Sequence, residues 1–154
     1  MAIKVGINGF GRIGRVVYRL LSKDSNFDIV ALNDLTDATT LAHLLKYDST
    51  HGRFDGTVEV KGSNLVINGD EMQVLSERDP GKLPWGALGA DIVLESTGVF
   101  RSRDKIELHL QAGAKRVLLS VPSKSPEDVD ATVVLGVNDE DLKLMSGAAD
   151  KALD

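Results

Sequence analysis

Ile3-Lys4-Val5-Gly6-Ile7-Asn8-Gly9-Phe10-Gly11-Arg12-Ile13-Gly14 opens the chain and decides how the rest is read. Ile3 to Asn8 is a short apolar run rich in β-branched residues, which predicts a buried strand. Gly9 follows at once. Beyond it, Ile13, Val16, Val17, Leu20 and Leu21 recur at helical spacing, which predicts a helix from Arg12 to Lys23. The turn between them reads G-x-G-x-x-G, and such a turn carries weight only between a strand and a helix, which is where it stands. Each glycine has its own task. Gly9 permits the tight turn, Gly11 lacks the Cβ that would block a pyrophosphate, and Gly14 lets helix and sheet approach closely. The amides of Gly11, Arg12 and Ile13 then face the phosphates at the positive end of the helix dipole.

Asp28 to Asn33 (DIVALN) predicts the second strand, and Asp34 stands at its end, 20 residues beyond Gly14. That is the spacing of a carboxylate that accepts hydrogen bonds from the adenine-ribose hydroxyls. The same carboxylate repels a 2′-phosphate, and no arginine follows in Leu35-Thr36-Asp37. The cofactor expected is NAD rather than NADP.

Outward from this unit, Asp37 predicts the cap of a helix running to about Tyr47, with Leu41, Leu44 and Leu45 on one face. Thr57 to Lys61, Asn64 to Asn68 and Glu71 to Ser76 read as short strands separated by hairpin turns at Gly62-Ser63 and Gly69-Asp70. They predict a small antiparallel insertion. Pro80 to Leu88 reads as a helical turn anchored by Trp85. Strands are then expected at Asp91 to Glu95, Arg116 to Ser120 and Ala131 to Leu135, with a helix from Arg103 to Ala112 stopped by Gly113. Pro122 to Asp130 reads as a polar loop. Alternating strands and helices imply a Rossmann-type, doubly wound α/β fold with a mostly parallel sheet. Ser96-Thr97-Gly98 and Ser120 follow later strands, on the edge where open α/β sheets bind ligands. No linker divides residues 1–154, so one domain is expected.

Bulk properties narrow the function. A composition of 42% hydrophobic and 27% charged residues fits a soluble globular protein, and no apolar run approaches the roughly 20 residues of a membrane helix. Met1-Ala2-Ile3-Lys4-Val5 lacks a signal-peptide pattern, which points to the cytoplasm. A formal charge of −5 argues against a nucleic-acid partner. Zero cysteines leave no thiolate metal site and no thiol nucleophile. His43, His51 and His109 are too scattered for a metal site, and His43 and His109 fit surface or packing roles. No metal is expected.

Several segments in order carry a family resemblance: INGFGRIGR from Ile7 to Arg15, NDLTD from Asn33 to Asp37, LAHLLKYDSTHG from Leu41 to Gly52 and ESTGVF from Glu95 to Phe100. AGAKRVLLSVPSK from Ala112 to Lys124 and GVN from Gly136 to Asn138 continue it. Over residues 1–143 the chain resembles glyceraldehyde-3-phosphate dehydrogenase, and erythrose-4-phosphate dehydrogenase shares much of the pattern. The resemblance implies an NAD-dependent, phosphorylating aldehyde dehydrogenase of glycolysis, working as a cytoplasmic homotetramer. It implies that Asn8, Arg12, Ile13 and Asp34 line the cofactor, that Arg78 lies near the adenine, and that Thr97, Gly98 and Ser120 lie on the nicotinamide side. In the family the cysteine nucleophile follows the GVN segment in a Ser-Cys-Thr-Thr-Asn motif. Here the sequence departs after Lys143 and reads MSGAADKALD from Met145 to Asp154. The expectation is a cofactor domain without its catalytic half: it binds NAD, has no catalytic residue of its own, and ends in a replaced junction. Ser146-Gly147 then reads as a linker, and Ala148 to Asp154 as a mimic of the family's final helix. The competing reading is a stand-alone NAD-sensing or interaction module.

Overall fold

A computed structural model describes residues 1–142. The linker expected at Ser146-Gly147 and the helix expected at Ala148 to Asp154 lie outside the described residues. Strand β1 (Ile3–Asn8) leads through helix α1 (Arg12–Leu21) to β2 (Phe27–Asn33), and α2 (Ala38–Lys46) follows. A minimal hairpin, β3 (Tyr47–Asp48) and β4 (Gly52–Arg53), precedes the antiparallel insertion of β5 (Val58–Lys61), β6 (Asn64–Ile67) and β7 (Asp70–Met72). The chain then returns to the main sheet with β8 (Val74–Leu75), α3 (Trp85–Leu88), β9 (Ile92–Glu95), α4 (Arg103–Gln111) and β10 (Arg116–Leu119). No described helix is long and apolar enough to cross a membrane.

The main sheet runs β10-β9-β1-β2-β8, with every pair parallel. From β1 the chain winds outward through β2 to β8, then crosses over to β9 and continues to β10. Right-handed crossovers in opposite directions place helices on opposite faces, and the reversal lies between β1 and β9. The alternation of side chains divides the core accordingly. Val5, Ile7, Leu32 and Leu94 pack with Phe10, Tyr18, Leu41 and Leu45 on one face. Ala31 and Val93 pack with Leu83, Trp85 and Ala114 on the other. A register shift between Val5 and Gly6 passes over Val30 in β2, which is how Ile29 and Ala31 come to opposite faces. Trp85 lies where a Cβ on Gly6 would stand, 2.5 Å from its Cζ3.

Four expectations are corrected. The run from Glu71 to Ser76 is not one strand. It breaks at Gln73, whose carbonyl accepts the Leu32 N–H, while Asn64 Oδ1 takes the Val74 N–H; Val74-Leu75 thereby joins β2 in parallel. The second hairpin turn is Asn68-Gly69 rather than Gly69-Asp70, with positive φ at both residues (54° and 91°), as a two-residue turn requires. Ala131 to Leu135 forms no strand. Asn138 claims the backbone that a ladder would need: its Oδ1 accepts from Val134 N–H at 2.7 Å and its Nδ2 donates to Thr132 O at 2.9 Å. The turn of Pro80 to Leu88 also divides, at Pro84, into a 3-10 turn (Pro80–Lys82) and α3.

Candidate functional site

Three neighbouring strands end in register on polar residues. Asn33 pairs with Asn8, and Asn8 with Glu95, at the carboxyl edge of the sheet. Immediately beyond them a cleft of about 420 Å³ opens at the point where the strand order reverses. It is lined by Asn8, Gly9 and Gly11 from the first turn, by Asn33, Asp34 and Leu35 after β2, by Glu77 and Arg78 after β8, and by Ser96, Thr97, Val99 and Phe100 after β9.

The glycine turn is held from two sides. Gly9 has φ +94°, and a Cβ there would come within 2.7 Å of the Thr97 nitrogen. A Cβ on Gly14 would fall 2.2 Å from the Gly9 carbonyl oxygen, so α1 packs on the turn only as glycine. Ser96 Oγ donates to Gly9 O at 2.7 Å, and Arg15 Nη1 donates to Phe10 O at 3.0 Å. Burial, partly offset by Asp48, holds the Arg15 guanidinium below its usual pKa. Gly11 is different. A Cβ there meets nothing within 4 Å, so no protein atom requires a glycine at this position. Gly11 is the N-cap of α1, no side chain caps the helix, and no acidic residue stands in its first turn. The amides at the positive end of this helix are therefore available to an anion entering the cleft.

Asp34 stands against the same turn. Its Oδ2 accepts from the Phe10 N–H at 2.8 Å and its Oδ1 from the Thr36 N–H at 2.9 Å. A carboxylate offers about four lone-pair sites, so each oxygen keeps one for a ligand hydroxyl. The residues present thus fit a dinucleotide: open space at Gly11, uncapped amides and an oriented carboxylate within one cleft.

Of the residues singled out from sequence, Asn8, Gly9, Gly11, Asp34, Arg78 and Thr97 line this cleft together. Arg12 and Ile13 begin α1 with exposed side chains, and Gly14 is buried under them. Gly98 sits in the loop after β9 with φ +75°. Ser120 follows β10, donating its N–H to Glu95 O at 3.0 Å, and its buried Oγ has no partner among the described residues. Ser96, on the strand edge marked from sequence, lines the cleft too, whereas sequence reasoning missed Asn33 and Glu77. Asn33 donates to Asn8 Oδ1 at 2.7 Å and exchanges two bonds of 2.9 Å with the Glu77 backbone. The signal was present: polar residues closing otherwise apolar strands need partners once buried.

Residues 3–103 match the family described as the glyceraldehyde 3-phosphate dehydrogenase NAD-binding domain. The chain is 59% identical over 140 residues to glyceraldehyde-3-phosphate dehydrogenase of Geobacillus stearothermophilus, covering 91% of this chain and 41% of that one. It is 56% identical over 142 residues to the Thermotoga maritima enzyme, covering 91% and 42%. With glyceraldehyde-3-phosphate dehydrogenase 1 of Bacillus subtilis the identity is 54% over 140 residues, covering 91% and 41%. The chain spans about two-fifths of the length of these relatives. It belongs to the glyceraldehyde 3-phosphate dehydrogenase family, within which it corresponds to the NAD-binding domain.

Proposed function

We propose that residues 1–154 act as one cofactor domain that holds NAD across the cleft, with the pyrophosphate on the amides of Gly11, Arg12 and Ile13. The observation that carries this reading is the uncapped N-terminus of α1 opening into the same cleft as Asp34, which is bonded to the glycine turn beside it. Gly9 and Gly14 shape the turn, Asn8 supports it from below, and Asp34 accepts the adenine-ribose hydroxyls. Arg78 lies toward the adenine. Thr97, Gly98 and Ser120 lie toward the nicotinamide, which when bound supplies a hydride acceptor. The Asp34 carboxylate disfavours a 2′-phosphate and so selects NAD over NADP.

The activity we assign to the whole protein is the phosphorylating oxidation of glyceraldehyde-3-phosphate, carried out by a cytoplasmic homotetramer. The relatives' names and the resemblance support it. These 154 residues contain no cysteine and so lack the thiolate that would attack the aldehyde. Calorimetric titration of the chain is expected to show saturable NAD binding, with NADP weaker by about tenfold or more, the cost of losing or opposing one charged contact. With glyceraldehyde-3-phosphate, inorganic phosphate and NAD, no NADH is expected. Equal affinity for NAD and NADP would remove Asp34 from the proposed role, and NADH formation by this chain alone would overturn its assignment as a binding half.

A further inference from the structure

A chain of polar contacts runs from the cleft to the opposite face of the sheet, and the cofactor assignment leaves it unexplained. Glu95 ends β9 with its side chain wholly buried. Its Oε2 accepts from the Asn8 amide at 2.5 Å and lies 2.8 Å from His109 Nε2. Its Oε1 accepts from the Thr97 N–H at 2.9 Å and from the Thr97 hydroxyl. Among the described residues no lysine or arginine reaches this carboxylate.

The direction of every bond follows from the two ends of the chain. An indole nitrogen only donates, so Trp85 Nε1, 3.0 Å from His109 Nδ1, makes Nδ1 an acceptor. The network thereby assigns the His109 proton to Nε2, pointing at Glu95. The contact is a hydrogen bond from a neutral imidazole rather than an ion pair. At the other end the Glu77 backbone orients the Asn33 amide, Asn33 Nδ2 donates to Asn8 Oδ1, and the Asn8 amide NH₂ is left facing Glu95. Four donors thus converge on one carboxylate.

We infer that Glu95 is a positioning residue of the cofactor cleft: its carboxylate locks Asn8 and Thr97, one at the glycine turn and one on the loop packed against it, and ties both to Trp85 through His109. The inference rests on NAD occupying the cleft. Asn8 and Thr97 line it, whereas Glu95, His109 and Trp85 lie outside the lining. Glutamine has the same shape, but its NH₂ faces either Asn8 and His109 or Thr97, so one wall loses its anchor. His109 does not absorb the change by moving its proton, because Nδ1–H would then oppose the Trp85 N–H.

Trp85 is the single tryptophan of the sequence, so it reports the relay directly. In the isotopically labelled wild-type chain, saturating NAD is expected to move the Trp85 indole N–H resonance. In Glu95→Gln, that resonance is expected to be displaced before NAD is added and to stop responding to it. NAD affinity is expected to fall by about tenfold or more, as for loss of a charge-assisted bond, with the circular dichroism unchanged. Glu95→Asp keeps the acceptors but is one methylene too short to span both walls, and a smaller loss is expected. Wild-type affinity in a folded Glu95→Gln overturns the positioning role. A wild-type indole resonance unmoved by bound NAD overturns the relay, and this measurement decides even where both variants fail to fold. Failure of the wild-type chain to bind NAD would instead overturn the cofactor assignment on which the inference stands.

Discussion

Gly9, Gly11 and Gly14 fill one sequence pattern for different physical reasons, and the reasons separate in mutants. A methyl group at Gly14 meets the Gly9 carbonyl oxygen at 2.2 Å, while one at Gly11 meets open space. Gly11→Ala is therefore expected to keep the wild-type melting temperature and lose NAD affinity. Gly14→Ala is expected to lower the melting temperature itself, and thermal denaturation followed by calorimetry distinguishes the two. Asp34 carries a second duty that its position alone does not reveal, because it also accepts from the Phe10 and Thr36 amides. Asp34→Ala is expected to weaken NAD binding by roughly 10- to 150-fold, from the loss of charged hydrogen bonds. A change under about twofold in a calorimetric titration would place the ribose elsewhere.

At the scale of elements, the packing of α3 on β1 depends on a residue that cannot be larger than glycine. Trp85 fills the space of the missing Gly6 Cβ and is itself fully buried. Gly6→Ala is expected to destabilise the fold by about 1–3 kcal/mol through overpacking, read as a lower denaturant midpoint. The β3–β4 hairpin depends on a charge. Backbone bonds from His51 and Thr50 to Asp48 hold its carboxyl at about 2, below its ordinary 3.8. A depressed carboxylate stabilises above the unfolded value and ceases to do so as the pH falls through the folded one. Amide exchange at Thr50 and His51 is thus expected to accelerate between about pH 4 and pH 2 relative to the main sheet, and an unchanged ratio would remove Asp48 as the anchor. The strands β1, β2 and β9 were legible because buried parallel strands read as continuous apolar runs. The break at Gln73 was not, because Leu32 and Asn64, both distant in sequence, decide which sheet each half joins.

For the molecule as a whole, large apolar side chains stand exposed on the last strand of the main sheet and in the segment that follows it. Leu118 on β10, Val134, Leu135 and Val137 are each more than half exposed. Surfaces of this kind mark contacts with further protein. The chain is expected to self-associate as its concentration rises, and Leu135→Glu with Val137→Glu to reduce that association in sedimentation velocity. Monomeric behaviour of the unmodified chain at all concentrations would remove these residues from any contact.

The sequence by itself determined the strand–glycine turn–helix unit, the acidic residue that follows it, the α/β class and the choice of cofactor. Those properties depend on local spacing and on backbone freedom, which neighbouring residues settle. Only the tertiary structure decided that Asn8, Asn33 and Glu95 share one row, that Trp85 replaces a side chain at Gly6, and that Asn138 takes residues 131–135 out of the sheet. Each of these is a satisfied polar group or a filled volume between segments far apart in sequence, and such partners exist only once the strands have met.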